Sequence, residues 1–202
     1  MPVLSEIVAD QTRQDNITRI LDAAEGLFRH FGYSKTNVAD IARELGMSPA
    51  NIYRFFASKT EIHQALCDRM LANSYQMADE IFRQPVSASE RLRRYVHAQF
   101  QMTVELMLDD TKVHEMVVVA IEREWHCIDR HISRIDARIA DVIREGIAAG
   151  EFREQDADLA SRCFGAATIS LCHPQMVAQC LNKSDRVGPD ELIDFAIRAL
   201  KA

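Results

Sequence analysis

Residues 36–63 read TNVADIARELGMSPANIYRFFASKTEIH, and few backbone arrangements satisfy that order of caps, breakers and apolar positions. Asn37 stands three residues before Asp40, so its side-chain oxygen can accept from the first free amides of a helix while the Asp40 carboxylate reaches back. Val38, Ile41, Ala42 and Leu45 then recur at helical spacing and define one buried face. Gly46 ends the run, because a residue without a Cβ enters the left-handed conformation of a helix terminus without strain. Ser48 is placed to cap a second short helix with Pro49 as its first residue, where the preset φ fits and the missing N–H has no partner to lose. This helix is expected over Pro49–Phe55, with Ile52 and Phe56 inward and Ala50, Asn51, Tyr53 and Arg54 on its other faces. Ser58 and Glu61 predict a further capping box that opens a longer helix at Lys59. Two short helices across a glycine turn, followed by a freshly capped third, form the layout of a helix-turn-helix.

The remainder of the chain predicts an all-α protein. A first helix is expected from about Asn16 to Phe31, with Ile17, Ile20, Leu21, Ala24, Leu27 and Phe28 inside and residues 1–12 as a mobile tail. Ile62, Leu66, Met70, Met77 and Ile81 mark one stripe of a helix from Lys59 to about Arg83, before the loop at Pro85. Its beginning lies against the helix-turn-helix and its later turns belong to the C-terminal domain, so a displacement at one end is felt at the other. Ser87 or Ser89 starts the next helix, running to about Leu108. Helical periodicity then persists from Thr111 to Gly150, too far for one globular helix, and a break is expected between Ile121 and His126. Asp156 or Asp158 caps a further helix that Pro174 interrupts, and a last helix comes after Gly188 and Pro189. The domain boundaries expected are 1–12, 13–58 and 59–202. No alternating strand pattern, repeat or low-complexity tract is present.

Over about fifty residues this N-terminal pattern resembles the tetracycline-repressor family of bacterial one-component regulators. The resemblance rests on Phe28, Phe31, Gly32, Tyr33, Thr36, Asp40, Ile41, Ala42, Gly46, Ser48, Tyr53, Phe56, Ser58, Lys59 and Glu61. Asn37 stands where that family often has Thr or Ser, and Pro49 and Asn51 replace the frequent Lys and Thr or Ser; these departures bear on which operator is read. The resemblance implies an N-terminal DNA-binding domain of three helices and a C-terminal helical domain for ligand binding and dimerisation.

In a helix-turn-helix the second short helix enters the major groove, where each base pair displays its own donor and acceptor pattern. Asn51 is placed to read adenine, Arg54 guanine or a phosphate, and Ala50 a thymine methyl, with Pro49 offering apolar contact only. Thr36, Asn37, Ser48, Tyr53 and Lys59 are read as phosphate anchors, since hydroxyls, helix N-terminal amides and a Lys near a helix start bind backbone oxygen without regard to sequence. Each also has a plainer reading: Ser48 as a cap, Tyr53 as a core aromatic, the others as solvated surface. One such helix covers too few base pairs for useful specificity, so a homodimer on a palindromic double-stranded operator is expected, its two reading helices roughly 34 Å apart. The resemblance implies dimerisation through residues 156–180 and 189–201; closure of a monomer core is the alternative.

A small-molecule effector is also implied, bound within Leu66–Phe164. Gln99 and Thr103 interrupt a stripe of Leu92, Val96 and Phe100, as polar groups do in a mostly apolar pocket, although they equally fit hydrogen bonds to neighbouring helices. Trp125, His126 and Phe164 are further candidate pocket residues.

Net charge is −6, yet residues 11–63 carry seven Lys or Arg against six Asp or Glu. A nearly neutral DNA-facing segment on an acidic body favours one docking orientation on phosphate. Five cysteines without a C-x-x-C pair fit reduced thiols in the cytoplasm, and the chain starts without a basic and apolar leader. Val117–Ile121, the longest aliphatic run, is far too short to span a bilayer, so no membrane is expected. Cys127 and His131 share a helix face that His97, His114 and His126 could approach, but no carboxylate or Cys cluster completes a four-ligand set; packing or surface roles are expected for them, with no metal and no cofactor. A Gly-rich phosphate loop, a G-x-S-x-G elbow and an H-E-x-x-H helix are all lacking, which speaks against an enzyme with catalytic residues of those types. The competing function is a helical metabolite carrier or small enzyme whose first helices merely pack.

Overall fold

A computed structural model gives the structure, describing residues 2–108, 119–120, 126–180, 183, 185 and 187–201. Among the described residues the helices are α1 (Pro2–Phe31), α2 (Val38–Glu44), α3 (Pro49–Tyr53), α4 (Lys59–Phe82), α5 (Ala88–Leu108), α6 (His126–Ala148), α7 (Ala157–Cys172), α8 (Pro174–Cys180) and α9 (Pro189–Leu200), with no strand. The chain divides into two compact units. One holds residues up to Arg69 with Val119 and Ala120; the other holds Met70–Leu108 and everything described from His126 onward. The first unit therefore takes in the opening turns of α4, past the boundary expected at residue 58.

The core of the first unit is built from Ile20, Leu21, Ala24 and Phe28 of α1, Ile41 of α2, Ile52 of α3, and Ile62 and Leu66 of α4, with Tyr33 and Phe56 between helices. Phe28 and Tyr33 meet edge to face at 5.3 Å between ring centroids. Arg69 forks to Asp22 at 2.6 Å and Glu25 at 2.5 Å and so ties α4 to α1. α1 is already helical at Pro2, well before the start expected near Asn16. Residues 10–15 are all exposed, so their helix leaves no apolar periodicity to read. It shows instead in i,i+4 side-chain bonds such as Gln11 to Asp15 at 3.2 Å and Asn16 to the Thr12 carbonyl at 2.9 Å.

The second unit packs around Phe82, Leu92, Val96, Ile139, Ile143, Phe152, Phe164, Leu171 and Ile193. Gly146 is required by close packing, since a Cβ there would lie 2.3 Å from the Phe152 ring. Gly150, at φ +71, closes α6. The N-terminus of α5 is capped from far along the chain: Glu151 accepts from the Ala88 amide at 2.7 Å and the Ser89 amide at 2.9 Å. Ser87 adds a local cap, accepting from the Glu90 amide at 3.2 Å. Of the two caps considered for α7, Asp156 is the one used, accepting from Asp158 and Leu159. Pro174 ends α7 as expected: His173 is extended and α8 begins at the proline. The expected break between Ile121 and His126 lies outside the described residues up to Trp125.

Candidate nucleic-acid interface

The α2–α3 segment is held by the bonds its sequence prescribes. The Asn37 side chain accepts from the Asp40 amide at 3.0 Å and the Asp40 carboxylate accepts from the Asn37 amide at 3.0 Å, a reciprocal box. Gly46 adopts φ +64 at the turn, and the Met47 amide closes it on the Ala42 carbonyl at 2.8 Å. Ser48 caps α3 through the Asn51 amide at 3.3 Å, with Pro49 in the first turn. α3 stops at Tyr53, two residues before the expected Phe55, with Arg54 as its C-cap. Ser58 accepts from the Glu61 amide at 3.1 Å, while the Glu61 carboxylate reaches one residue further back than expected, to the Ala57 amide at 2.7 Å.

Ile52 is fully buried and anchors α3, leaving the rest of this short helix outward. Ser48, Pro49, Ala50 and Arg54 are exposed, Tyr53 is 52% exposed and Asn51 is half-buried. The side chains of Asn51, Tyr53 and Arg54 make no hydrogen bond or ion pair among the described residues. Unpaired polar groups around a rigid apolar anchor suit base edges and phosphates, whose own donors and acceptors complete them. Asn37 is exposed at the start of α2.

Two of the nine residues read as DNA contacts point inward. Thr36 is buried and donates its hydroxyl to the Gly32 carbonyl at 2.9 Å, so its side chain holds the turn after α1. The Lys59 ammonium donates to the Tyr33 and Thr36 carbonyls at 2.9 Å each and lies 4.3 Å from the centroid of the Tyr33 ring. Thr36 thus braces the α1–α2 turn from within, and Lys59 stitches that turn to the start of α4. Spacing alone does not separate a lysine that reaches outward from one that caps a turn.

In the second unit the structure brings Gln99 and Thr103 together but satisfies them internally. Ser74 donates to the Gln99 side-chain oxygen at 3.0 Å, and Thr103 donates to the Gln99 carbonyl at 2.8 Å and lies 3.3 Å from the Cys172 carbonyl. Phe164 is buried in this core and Phe100 packs against it, whereas His126 is exposed. Trp125 lies outside the described residues. Burial pushes the Cys172 thiol up to about 12, so it stays protonated. Burial, reinforced by Arg134, lowers the pKa of His131, and the described residues contain no group of three His, Cys, Asp or Glu spaced to hold a metal.

α7 and α9 share an outward apolar face. Leu159 is 52% and Phe195 64% exposed, and with Cys163, Ala167 and Ala199 they line one groove. Phe195 is not among the residues singled out from the sequence, which marks the last helix by Gly188 and Pro189 before it. The signal that could have found it is that α9 is apolar on more than one side, as Phe195, Ile197 and Ala199 also show.

Comparison with known proteins agrees with this geometry. Residues 20–66 match the model of bacterial regulatory proteins of the tetR family, and residues 88–193 match the tetracyclin repressor-like C-terminal domain. The HTH-type transcriptional regulator TtgR of Pseudomonas putida is 26% identical over 160 residues, covering 73% of this chain and 75% of that protein. A TetR/AcrR-family regulator from Thermobifida fusca superposes with a TM-score of 0.69 at 21% identity, covering 92% and 96% of the two chains. FadR of Bacillus subtilis, solved with stearoyl-CoA, superposes with a TM-score of 0.61 at 20% identity over 92% and 97%. The chain belongs to the tetracycline-repressor family of bacterial transcriptional regulators.

Proposed function

We propose that this regulator is a repressor that binds a palindromic operator as a homodimer in the cytoplasm and leaves it when a small-molecule effector binds. The observation that carries the reading is α3, pinned by buried Ile52, with Asn51, Tyr53 and Arg54 directed outward and unpaired. On this reading Asn51 reads adenine, Arg54 reads guanine or holds a phosphate, Ala50 meets a thymine methyl and Pro49 gives apolar contact. Asn37, Ser48 and Tyr53 lie on the phosphates, and Thr36 and Lys59 act through the turn they brace. Pairing through α7 and α9 is supported by their exposed apolar face, a surface whose burial in a homodimer is favourable. No helix among the described residues is long and apolar enough to cross a membrane.

The effector enters the second unit and takes over the hydrogen bonds that Gln99 and Thr103 now make to each other and to Ser74. α4 has residues in both units, so a ligand that favours one position of its later turns shifts the population of DNA-competent dimers. The stearoyl-CoA complex of FadR shows that a protein of this fold holds an effector-sized ligand.

A gel-shift titration on the intergenic DNA beside the protein's own gene tests the reading. The Asn51→Ala, Tyr53→Ala double variant loses palindrome-specific binding; indistinguishable binding by wild type and variant returns the first helices to a packing role in a carrier or enzyme. Deletion of the gene raises a reporter driven by that promoter, and a fall in the reporter overturns repression.

A further inference from the structure

α1 continues past the core it serves. Its inner stripe steps back through Phe28, Ala24, Ile20 and Ile17, and the next position, four residues earlier, is Arg13. The turn that carries Arg13 is exposed, so burial does not explain a cation at the end of an apolar stripe. What stands beside it is the reading helix: the Arg13 guanidinium lies 5.5 Å from the centroid of the Phe55 ring, and Phe55 directly follows Arg54, the C-cap of α3.

The carboxylates close to it on α1 do not pair with it: Asp15 accepts from Gln11, and Asp10, three residues before Arg13, makes no ion pair with it. Arg13 thus has a face against an aromatic ring and no acidic partner among the described residues. A guanidinium resting on a ring keeps its edge N–H groups free, and that fork matches the two oxygens of a phosphate. The end of α3 also narrows the choice between phosphate and base. The N-terminal residues of a reading helix contact base edges, so a cation beyond its C-terminus meets the flanking backbone.

We propose that Arg13 is a phosphate anchor that extends each protomer's DNA footprint from α3 onto the projecting start of α1. The inference rests on α3 being the DNA-contacting helix, and Arg13 acts beside it without reading sequence.

Fluorescence anisotropy on full-length protein tests it, using the duplex that wild type selects from a randomised pool and a scrambled duplex, across about 0.05–0.3 M KCl. Arg13→Gln removes the charge and Arg13→Lys keeps it. The slope of log K against log salt becomes shallower in Arg13→Gln by about 0.9 per protomer, so by about two for a symmetric pair. Affinity falls by the same factor on both duplexes, and Arg13→Lys retains the wild-type slope. A role in packing alone lowers affinity without touching the slope.

An unchanged slope in Arg13→Gln overturns the anchor, as does a loss confined to the selected duplex, which marks base reading. Asn51→Ala separates this failure from that of the underlying reading: it lowers affinity for the selected duplex at unchanged slope if α3 reads bases. If Asn51→Ala and Arg13→Gln both bind like wild type, or wild type selects no duplex, both readings fall.

Discussion

α3 and α9 start alike and end in opposite surfaces. Each opens with a proline in its first turn, each is anchored by fully buried isoleucine, Ile52 or Ile193, and each leaves one aromatic more than half exposed, Tyr53 or Phe195. Around Tyr53 the outward neighbours are Asn51 and Arg54, polar and unpaired; around Phe195 they are Ala199, Leu159, Cys163 and Ala167. An exposed aromatic by itself therefore says little. Its surroundings decide whether the surface is matched to a hydrogen-bonding polyanion or to another apolar face.

The strongest way to break this contrast is to exchange the chemistry of the two aromatics. Phe195→Asp places a charge in the apolar face and weakens dimer association by about 2–4 kcal/mol, with little change in the thermal midpoint of the second unit; sedimentation equilibrium reads it. A dimer unmoved by this change assigns pairing to another surface. Next in size, Tyr53→Ala lowers operator affinity about tenfold, about 1.4 kcal/mol, while the oligomeric state stays as in wild type. If Tyr53→Ala dissociates the dimer instead, the roles of the two faces are reversed.

A smaller effect tests how each unit fixes its helix starts. The first unit caps α2 and α3 with nearby side chains alone, whereas α5 in the second adds the distant Glu151 to its local Ser87 cap. Burial opposes the Glu151 charge, but the hydrogen bonds it accepts from the Ser89 and Ala88 amides outweigh it and hold its pKa below the ordinary carboxylate value of 4.5. A carboxyl depressed in the folded state adds stability above its unfolded pKa and loses it as pH falls through the folded one. Glu151→Gln costs about 1 kcal/mol at neutral pH, and its melting temperature falls less steeply than wild type below pH 4.5. Parallel acid limbs exclude the carboxylate as the cap. The smallest effect concerns the two N-caps: α9 starts at Gly188 without a side-chain cap, at φ −68, so Gly188→Ser gains a few tenths of a kcal/mol. The flexible Glu191 carboxylate, which a Cβ there would meet at 2.3 Å, must swing aside; a drop in melting temperature means that it does not.

Legibility in the sequence followed the range of the interactions. The Asn37–Asp40 box, the Gly46 turn, the Ser48 cap and the Pro174 stop all act within a few residues, and each stands where its spacing predicted. The all-α class followed from the same signals. Contacts between distant segments were not legible. Nothing near Ser89 announces Glu151, and nothing near Lys59 announces the Tyr33 and Thr36 carbonyls that occupy its ammonium. Residues 10–15 of α1 escaped for a different reason, because apolar periodicity reports burial and these residues are exposed. Gln99 and Thr103 were picked out as polar breaks in an apolar stripe, but whether such groups await a ligand or face each other depends on Ser74 and Cys172 from other helices.

The ammonium of Lys59 grips two carbonyls on the turn that precedes α2 and rests against the aromatic ring of that same turn. Detaching this amine releases three contacts at once, so the turn and the first coil of α4 should fray as one cooperative event, visible as amides there that exchange with deuterium in step. An acyl group on that nitrogen would remove its charge and unfasten the turn that leads into α2, loosening the first unit without touching a side chain of α3.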